Sequence, residues 1–154
     1  MPQLVKGGKY VFGWSLINDD LKVKIPGKAL REYHLNECKK VILFSGSKKT
    51  GGFCVSSRDW IEKTIIKGIF EQNPGFNNPK TCEGEFVKYK SRFYCWADLK
   101  RNLLYLTPEM LKTFGLKPND RLLSIRGSYI AFVMGAKGPI IDTANKSVKY
   151  IREY

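Results

Sequence analysis

The stretch "IPGKALREYHLNECKKVILFSGS", Ile25 to Ser47, is restated as "LTPEMLKTFGLKPNDRLLSIRGS", Leu106 to Ser128, at a constant offset of 81 and without a gap. Ile25 falls on Leu106, Leu30 on Leu111, Tyr33 on Phe114 and Leu35 on Leu116. Further on, Val41-Ile42 fall on Leu122-Leu123, Phe44 on Ile125, and Gly46-Ser47 on Gly127-Ser128. Identity is sparse, but the apolar positions, helix ends and terminal Gly-Ser coincide, which points to a duplicated supersecondary unit. A chain of 154 residues holds one respectable core, or two small ones that share an interface. We therefore expect one compact domain over 1–154, with a first half at 9–56, an inter-repeat helix and loop at 57–83, and a second half at 84–145.

Each unit begins with a strand. "KYVFGWSLI" is aromatic and β-branched, and Asn18-Asp19-Asp20 supplies turn chemistry. "LKVKIP" alternates, so Leu21, Val23 and Ile25 face one way and Lys22 and Lys24 the other. Pro26 starts a short helix with Ala29, Leu30 and Tyr33 on one face. In the second unit Thr107 is an N-cap, Pro108 the first helical residue, Glu109 suits the positive end of the helix dipole, and Gly115 takes the left-handed terminating position. His34 stands where Gly115 does, which reads as a helix-terminating histidine. "KKVILFSGS" and "RLLSIRGS" are strands, and "KKTGGFCVS" and "YIAFVMGAKGPII" return as hairpin partners. Between the copies, "SSRDWIEKTIIKGIF" reads as one amphipathic helix carrying Trp60, Ile61, Thr64, Ile65 and Ile69 near one face; "EQNPGFNNPKTCEG" reads as a loop and "EFVKYKSRFYCW" as a strand.

The formal net charge is +13 and the pI about 9.7, an excess that suits nucleic acid, an anionic surface or an acidic protein. No stretch approaches the ~20 apolar residues of a membrane span, and the first residues lack a signal peptide's apolar run, so a soluble, cytoplasmic chain without a membrane partner is expected. Cys38, Cys54, Cys82 and Cys95 form no CxxC pair and are expected as reduced, mostly buried thiols; no metal or cofactor is expected. His34 is the single histidine, and no Ser/His/Asp set, P-loop, GxGxxG or HExxH occurs, so the chain is not expected to be an enzyme.

"LTPEMLKTFGLKPNDRLL" resembles the swapped-hairpin domain of the AbrB, SpoVT and MazE family, whose members carry a Leu/Ile-Pro start, a helix ending in Gly-Leu and a Pro-Gly-Asp-like turn before the next strand. Asn119 stands here for the turn glycine. The resemblance covers about 25 residues of the second copy and, more loosely, the same span of the first; it omits the Trp60 helix and the C-terminal tail. It implies a mainly β (α+β) barrel formed by exchanged hairpins. With two copies in one chain, that barrel would close as an intramolecular pseudodimer, in a monomer or a homodimer. It also implies DNA binding and transcription regulation, through basic residues just before the "IP" and on the short helix. Lys22 matches the first position, and Arg31 with Lys112 matches the helical one; the matched Ser15, Leu30, Leu103 and Leu111 are not basic.

Phosphate contacts need charge and position more than one residue type, so the remaining candidates are Lys24, Lys39, Lys40, Lys48, Lys49, Lys100, Arg101, Arg121 and Arg126, all beside turns or strand ends. Arg121 and Arg126 rank highest among these, because the guanidinium is a bidentate fork. Duplex DNA, at an imperfectly palindromic site, is the expected partner. An acidic protein is the second, with the barrel as an antitoxin-like interaction module. A third reading makes the Gly-Ser strand ends and the "SGSKKTGG" loop an anion pocket for a small ligand.

Overall fold

The computed structural model describes residues 8–79, 85–146 and 151–154. The first copy runs β1 (Val11–Leu16), β2 (Lys22–Lys24), α1 (Gly27–Glu32), β3 (Lys40–Ser45) and β4 (Phe53–Ser56). An inter-repeat segment follows, with α2 (Arg58–Glu62), a 3-10 turn at Ile65–Lys67, α3 (Gly68–Gln72), a second 3-10 turn at Pro74–Asn77, and β5 (Val87–Tyr89). The second copy is β6 (Arg92–Lys100), β7 (Leu103–Tyr105), α4 (Pro108–Phe114), β8 (Arg121–Arg126) and β9 (Phe132–Gly135), and α5 (Pro139–Lys146) comes after it.

Among the described residues these strands form one antiparallel sheet in the order β1-β8-β9-β4-β3-β6-β7-β2, with β5 added on β6. A single antiparallel bridge from Ile17 to Val23 brings the end strands β1 and β2 together, so the sheet is a nearly closed barrel. The molecule is thus mainly β with a few short helices. Pairing crosses between the copies: β1 lies on β8, β6 on β3, β2 on β7 and β4 on β9.

Alternation along the strands fills the barrel. Phe12, Val23, Val41, Leu43, Val55, Leu104, Leu122 and Phe132 point inward, and α1 and α4 add Ala29, Leu30 and Tyr33, and Met110, Leu111 and Phe114, to the same core. Two aromatic contacts tie each helix to the other copy: Tyr33 against Phe132 at 5.4 Å, and Phe114 against Phe53 at 5.3 Å between ring centroids. The helix ends are as the residue types require. The Thr107 side chain accepts from the Met110 amide, Gly115 closes α4 at φ 70°, and His34 takes the equivalent left-handed position at φ 56°. Asn119, at φ 74°, fills the left-handed turn position that glycine would otherwise hold.

Two further layers cover parts of the outer face. The inter-repeat segment buries Ile61, Ile69, Phe70 and Phe76 against Ile42, Phe44, Tyr94 and Trp96, with the Trp96 indole donating to the Phe76 carbonyl at 2.8 Å. α5 and Ile151 bury Trp14, Val11, Leu123 and Ile125 on the strands β1 and β8, and Val133 packs against both layers.

Two local expectations are corrected. The single amphipathic helix over residues 56–70 is broken, because the Thr64 hydroxyl accepts from the Ile66 amide and starts a new turn; Ile65 then faces solvent at 81% exposure. "EFVKYKSRFYCW" is a hairpin, β5 to β6, because Lys90 and Ser91 both take left-handed conformations, at φ 47° and 70°. Cys38 and Cys54 are free thiols, Cys54 and Cys95 are buried, and Cys82 lies outside the described residues. Among the described residues no helix is long and apolar enough to cross a membrane.

Candidate nucleic-acid interface

The outer face that neither layer covers lies on β2, β7, the end of β6 and the start of β3. Residues directly opposite in an antiparallel pair share a face. Register therefore places Lys24, Leu103 and Lys100 in one row, and Lys22, Tyr105, Asp98 and Lys40 in the next. The second row crosses four strands, about 14 Å at ~4.8 Å per step. Both Lys22 and Lys100 hold their ammonium groups against the Tyr105 ring, at 5.0 and 5.6 Å from its centre. Lys40 is held by Asp98 at 2.5 Å, and Lys22 sits 3.7 Å from Asp20. Lys39 joins the group, since its carbonyl accepts from the Leu99 amide at 2.9 Å.

The turn that joins β6 to β7 extends this face onto α1. Arg101 and Asn102 both have positive φ, 51° and 66°, the geometry of a tight hairpin that right-handed strand twist favours. The Asn102 carbonyl accepts from the Ile25 amide at 2.8 Å, which brings the turn against the start of the α1 segment. Gly27 lies between the Arg31 guanidinium and the Asn102 side chain, so Arg31 stands beside that turn. Beyond it is a groove of about 490 Å³ walled by Lys28, Arg31, Arg152, Tyr10 and Tyr154. The Lys28 ammonium reaches the Tyr10 hydroxyl at 3.4 Å, and the Arg152 guanidinium lies 5.0 Å from the centre of the Tyr154 ring. Among the described residues no carboxylate side chain lines this groove. Among the described residues Lys24, Lys28, Arg31, Lys39, Lys100, Arg101 and Arg152 have no carboxylate at ion-pair distance.

The other candidates stand elsewhere. Lys48 and Lys49 are on the loop at the far end of β3. Lys112 is on the exposed side of α4; just before that helix the Leu106 amide donates to the Leu21 carbonyl at 2.9 Å, which sets the start of the α4 segment beside the turn that holds Asp19 and Asp20. Arg121 and Arg126, ranked highest from the sequence, both have carboxylate partners. Arg126 bonds both oxygens of Glu32, through Nε at 2.7 Å and through a second, short contact, and rests on Tyr10; these hydrogen bonds raise its pKa above the ordinary arginine value. Arg121 bonds Glu153 at 3.0 Å and covers the Trp14 ring at 4.1 Å.

Lys28, Arg152 and the three tyrosines are additions to the residues read from the sequence. Lys28 carried a signal, since it lies three residues before Arg31 and so on the same helix face. Arg152 carried none, because residues 151–154 reach the groove through parallel pairing with β1, where the Trp14 amide donates to the Arg152 carbonyl and the Tyr154 amide to the Trp14 carbonyl, each at 2.8 Å. No family model matches the chain, and no curated protein matches it.

Proposed function

We propose that the chain is a non-enzymatic, duplex-DNA-binding regulator of the AbrB-like class, a single domain in which two repeats close one barrel as a swapped-hairpin pseudodimer. The observation that carries the DNA reading is the uncovered face from Lys24 to Arg152, where cations that among the described residues have no carboxylate at ion-pair distance lie among Tyr105, Tyr10 and Tyr154. Such a face binds phosphates through charge.

The pairing supports the pseudodimer. Exchanging the two copies leaves the strand order unchanged once β1 and β2 are treated as neighbours. Hydrogen bonds recur in matched pairs across the copies: Ile25 to Asn102 with Leu106 to Leu21, and Ile17 to Asp120 with Leu99 to Lys39. A unit of about 45 residues buries too little surface to be secure alone, which favours closure by exchange. The barrel then needs no second chain, whether the protein acts as a monomer or a homodimer.

A mobility shift of generic duplex DNA at two salt concentrations tests the function. Binding at low salt that collapses at high salt is expected; no binding even at low salt overturns it. A protein partner is the second reading, favoured by a separate exposed group: His34 and Trp60 stacked at 6.1 Å, and Tyr129 edge-on to Trp60 at 6.4 Å and 71% exposed. Co-purification of an acidic protein in place of DNA binding would favour it.

A further inference from the structure

A recess of about 360 Å³ lies on the outer face between the inter-repeat segment and α5, at the end of β3 away from the cationic face. Its floor is apolar, with Phe44, Cys54, Ile125 and Val133 from four different strands, closed at the sides by Ile66 and Ile140. Its rim is polar. The duplicated Gly-Ser ends meet here, as Ser47 and Gly127-Ser128, and Ser47 Oγ lies 3.2 Å from Thr50 Oγ1. Lys9, Arg92 and Arg126 add to the lining, and among the described residues no carboxylate side chain belongs to it.

Arg126 is held by Glu32, but Arg92 is not neutralised: its guanidinium lies over the Phe44 ring at 5.5 Å, and among the described residues no carboxylate is within ion-pair distance. Lys9 likewise has no carboxylate partner among them. A cation fork above an apolar floor is complementary to a molecule with one anionic end and one hydrophobic end. We propose that this recess binds a small amphipathic carboxylate, its head on Arg92 and Lys9 and its apolar body on Phe44, Cys54 and Val133. At roughly 30 Å³ per water-sized group the volume takes about a dozen heavy atoms. The two walls come from the inter-repeat segment and α5, so the site belongs to what this chain adds around its repeated strands, and it stands apart from the DNA reading.

The test is calorimetric titration of the intact protein with octanoate, with octan-1-ol as the uncharged control and inorganic phosphate as the headgroup control. Octanoate should bind, octan-1-ol at least about tenfold more weakly, as expected for a lost charge-assisted contact, and phosphate alone not measurably. Arg92→Gln should weaken octanoate by about tenfold or more, while Arg92→Lys keeps part of the affinity. Val133→Trp should fill the recess and abolish binding, and bound octanoate should slow alkylation of Cys54. Equal binding of octanoate and octan-1-ol, unchanged affinity in Arg92→Gln, or no octanoate heat at millimolar concentration overturns the proposal. Should Val133→Trp fail to fold, Arg92→Gln, at a half-exposed surface position, decides alone.

Discussion

Replacing Lys24, Lys100 and Arg101 together should flatten the salt dependence of DNA binding by a defined amount. Lys24 and Lys100 share a row across β2, β7 and β6, and Arg101 is the next residue of the same hairpin. Each phosphate contact contributes about 0.9 to the log-log slope, so losing three contacts makes the slope shallower by about 2.7. Between 50 and 200 mM salt the wild-type affinity should then fall about 40-fold more than that of the variant, since 0.6 log units of salt multiply that slope difference. The substitutions are Lys24→Ala, Lys100→Ala and Arg101→Asn. Asparagine is chosen because Arg101 has φ 51°, a conformation that asparagine accepts more readily than alanine. All three side chains are exposed, so the fold should survive with a change of about 0.5 kcal/mol or less at each site. Fluorescence anisotropy across a salt series measures the slope, and Lys48→Ala, Lys49→Ala and Lys137→Ala together, away from the candidate face, form the control that removes the same three charges. An unchanged slope in the triple variant, or an equal flattening in the control, would refute the placement of the interface.

Leu111→Ala should cost on the order of 2 to 5 kcal/mol in urea denaturation, because the side chain is 5% exposed within the barrel core; a loss below about 0.5 kcal/mol would show that α4 does not seal it. Gly13→Ala should release residues 151–154, since a Cβ there would fall on the Tyr154 ring and 2.7 Å from the Arg152 carbonyl oxygen; carboxypeptidase should trim the variant faster than the wild type. Burial pushes the Cys54 thiol from 9.0 up to about 11, so its contribution is intact below pH 9 and is lost as pH rises toward 11. Wild-type stability should drop by on the order of 2 kcal/mol more than that of Cys54→Ala between pH 8.5 and 10.5, and equal losses in the two proteins would contradict the burial.

What the sequence made legible was local. The 81-residue offset located both copies of each element because periodicity, caps and left-handed positions are set by neighbours in the chain. Thr107, Gly115 and His34 act where their chemistry requires. The broken helix at Thr64 escaped notice because a threonine within an apolar pattern reads as part of one face, although its hydroxyl can equally cap a new turn. The Lys90-Ser91 turn escaped because neither residue is the glycine or asparagine that usually marks positive φ. At the interface, Lys22, Lys24, Lys100 and Arg101 were visible as basic residues beside turns, but their convergence depends on β2 pairing with β7 from the other copy. The same long range hid the engagement of Arg126, whose partner Glu32 is 94 residues away.

The doubled chain does not present two equal faces. In the pseudodimer reading, the turn at Arg101-Asn102 beside α1 corresponds to the turn at Asp19-Asp20-Leu21 beside α4. Leu21 and Asn102 share positive φ, at 62° and 66°, so the backbones agree. The charges do not: one turn offers Lys100 and Arg101 with Lys28 and Arg31 on its helix, the other Asp19 and Asp20 with Glu109 facing Lys112 across the first turn of α4. Asp19 is further fixed by the Asn119 amide at 3.1 Å. Two-fold proteins read palindromes because both halves carry the same contacts. If the protein binds DNA as proposed, phosphate affinity should concentrate on the half that carries the unpaired cations, and the acidic turn of the other half should disfavour a duplex. The prediction is then a one-sided footprint centred on the β6–β7 turn and the α1 groove; equal hydroxyl-radical protection on both halves of an imperfect palindrome would refute it.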